Sequence, residues 1–178
     1  ADIAFVNGGG IRADIPAGDI TYNQIIKVHP YGNMACVVEA TGQEILDALE
    51  MASRNTMADY VSESVDEHGN KVYNAVGEMG GFLQVSGLTY EIHTGVASSA
   101  EKDENGMFTR VSGEYRVKNV MVGGQPLELD KTYTLASHNY MLLGHGDGYT
   151  MFDGCEVLGE DMMVDNQVLI TYITTTLG

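Results

Sequence analysis

Residues 35–54, ACVVEATGQEILDALEMASR, contain a strand pattern followed at once by a helix pattern. The first six residues, ACVVEA, have the apolar and β-branched composition of a strand. Thr41 and Glu44 then have the spacing of a capping box, in which each side chain bonds the other residue's backbone N–H at the start of a helix. The apolar residues expected on one face of this helix are Ile45, Leu49 and Ala52. The stretch therefore predicts a strand that leads directly into a helix.

Strand patterns outnumber helix patterns in the rest of the chain. DIAFV, residues 2–6, is typical of a short buried strand, and TYNQIIKV, residues 21–28, begins with a second capping-box spacing. Gly123 and Gly124 separate two apolar stretches, the pattern of a β-hairpin turn. Strands and helices do not alternate regularly, so we predict the α+β class and not a doubly wound parallel sheet. The expected fold is a single mixed α/β domain, residues 1–178, with mostly antiparallel strands and a few helices.

Two segments have weaker patterns. Residues 63–79 are polar, irregular in pattern and rich in turn-forming residues, which indicates a surface excursion. In DNQVLITYITTTLG, residues 165–178, Asp165 or Asn166 could cap a last helix, although its threonine-rich end favours helix only weakly. We therefore predict a surface excursion in the first segment and a helix in the second.

The composition restricts the classes of partner. Nine Lys and Arg against 25 Asp and Glu give a formal charge of −16, which argues against nonspecific binding to nucleic acid or to an anionic membrane. An anionic ligand must therefore be bound by a few placed cations. No apolar run approaches the roughly 18 residues of a membrane helix, so no membrane span is expected.

The first residues and the cysteines add two expectations. ADIAFVNGGG has no basic leader and no apolar signal core, and it enters a predicted strand at once, so we expect a chain cut from something longer or processed. Cys36 and Cys155 lie far apart and form no CxxC pair, which argues against a zinc or redox site. Two buried thiols are favoured, and a single disulfide is the alternative.

A glycine-rich loop follows the first predicted strand. GGGIRA, residues 8–13, formally matches the G-x-G-x-x-A dinucleotide-binding loop, but that loop must open a helix, and Pro16 and Gly18 follow too soon. The G-K-[ST] ending of a Walker loop is absent. Glycines let the backbone approach a ligand closely, and Arg12 can bind phosphate or carboxylate with two parallel hydrogen bonds. The alternative is an ordinary turn with a solvated arginine.

Two further loops carry tyrosines, while catalytic motifs are absent. Tyr31 lies in VHPYGN, and Tyr140 and Asp147 lie in NYMLLGHGDGY. A tyrosine on a loop can stack on a nucleobase beside a carboxylate that binds base or sugar, whereas the alternative for each is core or interface packing. The five histidines lack metal-site spacings, no G-x-S-x-G elbow occurs, and DENG, residues 103–106, is predicted to be a turn and not a calcium loop. The pattern predicts binding residues without reaction residues.

Four blocks in this order resemble the C-terminal domain of the 5′-nucleotidase family: NGGGIRADIPAGDIT, VHPYGNMACVVEATGQEILDALE, GFLQVSGLTYEI and NYMLLGHGDGY. The resemblance runs from about Asp2 to beyond Phe152. It implies a substrate-recognition domain that follows a metallophosphoesterase domain. That other domain would hold two divalent metal ions and the catalytic residues, so no catalytic residue, metal ligand or cofactor is expected in this chain. The resemblance also implies an extracytoplasmic location, whether secreted, periplasmic or attached to the cell wall.

The resemblance assigns roles to residues of the three loops. Arg12 resembles the arginine that contacts the substrate phosphate, Asn7 the amide near the base, and Asp147 the carboxylate that binds the ribose hydroxyls. Tyr31 and Tyr140 resemble the two walls of an aromatic clamp around the base. The predicted substrate-binding residues are Asn7, Gly9, Gly10, Arg12, Tyr31, Asn33, Tyr140 and Asp147.

Two departures from the family pattern leave alternatives open. His145 replaces the first glycine of the usual GGDG loop, and the segment between Tyr140 and Asp147 is one residue longer than is common. Tyrosine at both clamp positions resembles relatives that open 2′,3′-cyclic nucleotides, whereas NGGGIR favours the 5′-nucleotidase branch. We therefore expect the substrate domain of a metal-dependent 5′-nucleotidase, inactive by itself. The alternatives are the substrate domain of a 2′,3′-cyclic nucleotide phosphodiesterase or UDP-sugar hydrolase, and a non-catalytic nucleotide or nucleoside binding module.

Overall fold

The described strands build one five-stranded sheet and three small sheets. The computed structural model describes residues 1–55, 61–73 and 79–177. Its strands are β1 (Ile3–Asn7), β2 (Ala35–Thr41), β3 (Val61–Val65), β4 (Lys71–Tyr73), β5 (Leu83–Ser86), β6 (Leu88–Ile92), β7 (Ala100–Lys102), β8 (Phe108–Val111), β9 (Val117–Val122), β10 (Gln125–Pro126), β11 (Thr132–His138) and β12 (Glu156–Gly159). Its α-helices are α1 (Tyr22–Val28), α2 (Gly42–Ala52), α3 (Asn139–Leu142) and α4 (Asp165–Tyr172).

The large sheet has the strand order β12-β2-β11-β1-β5. β1 and β11 run parallel, and the other pairings of this sheet are antiparallel. The small sheets, β10-β9-β6, β3-β4 and β7-β8, are antiparallel throughout. The predicted α+β class, with mostly antiparallel strands and a few helices, is confirmed.

Residues 35–52 fold as predicted, as strand β2 followed directly by helix α2. The inward residues of β2 are Cys36, Val38 and Ala40. At the start of α2 the backbone N–H of Glu44 donates to Thr41 Oγ1 at 3.3 Å, and that of Thr41 donates to Glu44 Oε2 at 2.7 Å. The buried apolar face of α2 includes Ile45, Leu49 and Ala52. Strand and helix therefore contribute their inner faces to one hydrophobic core.

Two other local predictions are confirmed. Helix α1 begins with a complete capping box of Thr21 and Gln24. Gly123 and Gly124 join β9 to β10 with φ angles of 56° and 80°, which glycine adopts without the steric cost that other residues meet.

The surface excursion predicted over residues 63–79 is confirmed for residues 65–70, which are exposed, but a hairpin that was not predicted forms part of it. β3 and β4 form an antiparallel hairpin across residues 61–73, while residues 74–78 lie outside the described part of the chain. The exposed turn is closed by Asp66, whose Oδ1 accepts hydrogen bonds from two backbone N–H groups, and by Gly69 at a φ of 80°. Cross-strand backbone bonds stabilise a hairpin without apolar alternation, so the composition gave no sign of it.

Helix α4 lies where it was predicted, but the predicted cap is wrong. Val164 precedes the first turn, and its side chain makes no capping bond. Asp165 Oδ1 accepts instead from the backbone N–H of Asn166 at 2.7 Å. A bridge between Met34 and Val164 holds residue 164 extended, so the helix begins before either polar residue can cap it. The threonine-rich end continues as a π-helical turn, Ile173–Leu177.

Cys36 and Cys155 are both free thiols, so the disulfide alternative is not realised. Cys36 is buried and Cys155 is half-buried, so the prediction of a buried thiol is confirmed for Cys36 alone. Burial raises the pKa of Cys36 to about 11. Burial, together with the neighbouring charge of Glu44, raises the pKa of Cys155 to about 12.

Candidate substrate site

Three loops meet at one edge of the large sheet. Because β1 and β11 are parallel neighbours, the glycine turn Gly8–Gly10 after β1 and the segment 139–148 after β11 leave the sheet at the same edge. β2 runs antiparallel to β11, with Ala35 opposite His138, so the loop before β2 arrives there too. Sheet topology thus brings together loops that are distant in sequence.

A cavity of about 340 Å³ lies between these loops. Ligand pockets for small molecules have volumes of about 300–1,000 Å³. The residues that line the cavity are Asn7, Gly9, Gly10, Tyr31, Asn33, Tyr140 and Asp147. The structure therefore places seven of the eight predicted residues around one cavity.

Arg12, the eighth predicted residue, lies beside the cavity and not in its lining. Its side chain is exposed, and its Nη1 is 3.5 Å from the carbonyl oxygen of Gly9, which does line the cavity. Its backbone N–H donates to the carbonyl oxygen of Val28 at 2.9 Å, which ties the glycine loop to the end of α1. The backbone of Arg12 is therefore held in place, while its side chain is exposed beside the cavity.

The glycine turn allows close contact between backbone segments. The N–H groups of Gly8 and Gly9 donate to the carbonyl oxygens of Phe82 and Gly80 at 2.7 and 2.8 Å, so they serve the fold and do not cradle a phosphate. A Cβ on Gly9 would lie 3.1 Å from the Cα of Gly80. The next helix begins only at Tyr22, which agrees with setting aside a dinucleotide-binding loop.

Two tyrosines are displayed on the cavity instead of being packed in the core. Tyr31 is 61% exposed and Tyr140 is 44% exposed. The Tyr140 ring packs on Gly146, where an added Cβ would come within 2.5 Å of three ring carbons. The missing side chain of Gly146 therefore decides where one aromatic surface of the cavity lies.

Asp147 connects two other residues of the cavity. Its Oδ2 accepts a hydrogen bond from Asn7 Nδ2 at 2.6 Å, and its Oδ1 accepts one from the hydroxyl of Tyr140 at 3.2 Å. Partial burial and the charge of Asp147 raise the pKa of Tyr140. His145 and Asp147 adopt φ angles of 53° and 57°, so this loop turns through the left-handed region at two non-glycine residues. The histidine at the usual glycine position does not prevent Asp147 from reaching the cavity.

Sequence reasoning missed two residues that support the site. Gly146 is not among the predicted residues although it lies inside the GHGDGY stretch, because the need for glycine there comes from contact with the Tyr140 ring, six positions earlier in the chain, and not from its own backbone angles. His138 is buried behind Asn7, with its Nε2 3.1 Å from Asn7 Oδ1. The signal available in the sequence is that His138 directly precedes Asn139 and Tyr140 in the chain.

Residues 1–55, 61–73 and 79–177 provide neither a metal-binding cluster nor a membrane-spanning helix. No group of three or more His, Cys, Asp or Glu side chains there could hold a metal ion. The donor set for a metal centre is thus not found in these residues, and no chemical step is derived through one. None of the described helices is long and apolar enough to cross a bilayer.

The fold and the cavity define an α+β domain with a candidate small-molecule site at a sheet edge. Residues 1–154 match the family described as 5′-nucleotidase, C-terminal domain, and the chain belongs to that family. The resemblance noted from the four sequence blocks is confirmed.

Relatives in this family are longer proteins. The chain is 30% identical to a 5′-nucleotidase of Vibrio cholerae over 97% of this chain and 24% of that protein. It is 33% identical to the trifunctional nucleotide phosphoesterase protein YfkN of Bacillus subtilis, over 100% of this chain and 10% of that protein. A solved 5′-nucleotidase precursor from Thermus thermophilus superposes with a TM-score of 0.70 and 31% identity, over 97% of this chain and 28% of that one. The chain therefore spans less than a third of each of these relatives.

Proposed function

We propose that this chain is the substrate-binding domain of a metal-dependent 5′-nucleotidase and binds the base, ribose and phosphate of a nucleotide. The observation that carries the proposal is that two exposed tyrosines, an amide and a carboxylate line one and the same cavity. Family membership supports the choice of a nucleotide over other planar ligands.

Each part of the nucleotide has a complementary group. The base stacks between Tyr31 and Tyr140, and each stacking contact is worth about 1–3 kcal/mol. Asp147, which already accepts two hydrogen bonds, has further acceptor sites for ribose hydroxyls. Arg12 binds the phosphate beside the glycine turn, because a guanidinium pairs with a phosphate through charge-assisted bonds.

Hydrolysis of the phosphomonoester is assigned to a separate metallophosphoesterase domain of the same protein that precedes this chain and holds two divalent ions. The whole chain, residues 1–178, acts as one substrate-binding domain in this proposal. The relatives are long enough to contain such a domain, because the chain covers only 24% of the Vibrio cholerae protein. We expect the chain by itself to release no phosphate from nucleotides with added Mn²⁺, Zn²⁺ or Mg²⁺. An extracytoplasmic location belongs to the same proposal.

A second candidate is recognition of 2′,3′-cyclic nucleotides. Tyrosine at both clamp positions favours it, because this pair resembles relatives that open 2′,3′-cyclic nucleotides. Both tyrosine side chains line the cavity. Tighter binding of 2′,3′-cyclic AMP than of AMP would select this candidate.

Isothermal titration of the chain with AMP and adenosine tests the main proposal. Tyr31→Ala and Tyr140→Ala should each weaken adenosine binding about 5- to 150-fold, which corresponds to the stacking energy. Arg12→Ala should weaken AMP and leave adenosine unchanged. Tyr22→Ala is the matched control, because Tyr22 is 66% exposed and lies outside the cavity lining. Absence of binding at millimolar ligand, or equal losses for Tyr22→Ala, would contradict the proposal.

A further inference from the structure

A chain of three hydrogen bonds begins behind the cavity and ends at the aromatic surface. His138, at the end of β11, is only 4% exposed, and its Nε2 lies 3.1 Å from Asn7 Oδ1. Asn7 Nδ2 donates to Asp147 Oδ2 at 2.6 Å, and the Tyr140 hydroxyl donates to Asp147 Oδ1 at 3.2 Å. His138 does not itself line this cavity, so it acts on a ligand there through Asn7 and through its ring contact with Tyr140, whose centroid is 6.0 Å away.

The chemistry of the groups fixes the direction of these bonds. A carboxylate only accepts hydrogen bonds, so the Asn7 amide nitrogen must face Asp147 and its oxygen must face His138. An amide oxygen also only accepts, so the proton of the neutral His138 imidazole is on Nε2. Its Nδ1 is then an acceptor, and this atom is buried without a hydrogen-bond partner among the described residues.

The surroundings of His138 favour its neutral form and leave space for its contact with Asn7. Burial lowers the pKa of His138, as does the neighbouring His29, while the contact of the ring with its own backbone and the charges of Asp165 and Asp147 act in the opposite direction. A Cβ on Gly10 would lie 2.8 Å from Asn7 Oδ1 and 3.8 Å from His138 Nε2. Glycine at this position therefore leaves room for the Asn7 amide to meet the histidine.

We propose that His138 is a positioning residue of the substrate site, whose Nε2–H holds the Asn7 amide in the orientation that directs its NH₂ group to Asp147. The inference rests on the proposed function and adds a residue to it. Without this donor the buried Asn7 oxygen loses its hydrogen bond from His138, and only the bond to Asp147 restrains the amide. The amide is then held less firmly against Asp147, and the carboxylate is positioned less well for a ribose.

Nuclear magnetic resonance tests the tautomer without any ligand. Long-range ¹H–¹⁵N spectra of the uniformly ¹⁵N-labelled chain at pH 7.5 distinguish Nε2–H from Nδ1–H imidazole, and His138→Gln identifies the His138 signals among the five histidines. We expect the Nε2–H form. An Nδ1–H form would overturn the inference.

Adenosine titrations test the effect on the site. His138→Leu leaves the Asn7 oxygen without its donor and should weaken adenosine binding about 10-fold, whereas His138→Gln, whose amide can donate, should stay within about 3-fold of the unmodified chain. In an Asn7→Ala background, His138→Leu should cause no further loss. An unchanged affinity for His138→Leu, or a full additional loss in that background, would overturn the inference. If the unmodified chain binds no nucleoside, the proposed function fails, and the tautomer alone decides whether His138 holds Asn7.

Discussion

Replacement of Gly146 by alanine should disturb the Tyr140 side of the cavity with little effect on the fold. Gly146 has no positive φ angle, so alanine meets no backbone strain at this position. The added methyl group instead meets the Tyr140 ring, with three ring carbons within 2.5 Å of the new Cβ. The substitution therefore acts on the ring and not on the loop backbone.

The size of the effect follows from the distance and the exposure of the ring. Ordinary van der Waals contact begins at 3.4 Å, so the ring must retreat by about 1 Å or rotate away. Overpacking in a closed core costs about 1–3 kcal/mol, but Tyr140 is 44% exposed and can move toward solvent. We expect unfolding to become easier by less than about 1 kcal/mol, a shift in melting temperature of at most about 4 °C. The displaced ring no longer stacks on the base, so adenosine binding should weaken about 5- to 150-fold.

Isothermal titration with adenosine and thermal denaturation measure the two effects on the same samples. Gly95→Ala is the matched control, because Gly95 has no positive φ angle and a Cβ there would meet nothing within 4 Å. It should change neither affinity nor melting temperature. Wild-type affinity in Gly146→Ala would refute the assignment of Tyr140 as a stacking surface. A loss of affinity accompanied by a large drop in melting temperature would refute the claim that the ring can yield toward solvent.

Two further predictions concern the fold. Thr41→Ala removes the capping bond with the Glu44 backbone and should lower the free energy of unfolding by about 1 kcal/mol, which lowers the melting temperature by about 2–4 °C. Thr174→Ala, in the exposed C-terminal turn, should leave the melting temperature unchanged. Equal shifts for the two variants would contradict the capping argument. Thiolate is the reactive form of cysteine, and the pKa values of Cys36 and Cys155 are raised to about 11 and about 12. Alkylation of these cysteines by iodoacetamide at pH 8 should therefore be at least about 100-fold slower in the folded chain than in the chain unfolded by guanidinium. Mass spectrometry that finds fast labelling of either cysteine in the folded chain would refute the burial argument.

Local sequence signals predicted the elements that depend on neighbouring residues. Both capping boxes were recognisable because their two partners lie three positions apart, as with Thr41 and Glu44. The Gly123–Gly124 turn was recognisable because its unusual φ angles need glycine within the turn itself. The β3-β4 hairpin was missed because its backbone bonds join residues whose side chains carry no apolar alternation.

The sequence by itself determined the α+β class, the helix starts and, through family resemblance, which residues to expect at the site. Only the tertiary structure decided how these residues meet, because the parallel pairing of β1 with β11 puts the glycine turn beside the loop of Tyr140. The bonds from Asn7 to Asp147 and to His138 join residues 140 and 131 positions apart in the chain. Hydrogen bonds and ring contacts act over a few ångströms, so their partners are set by strand order and register, and a linear pattern does not contain them.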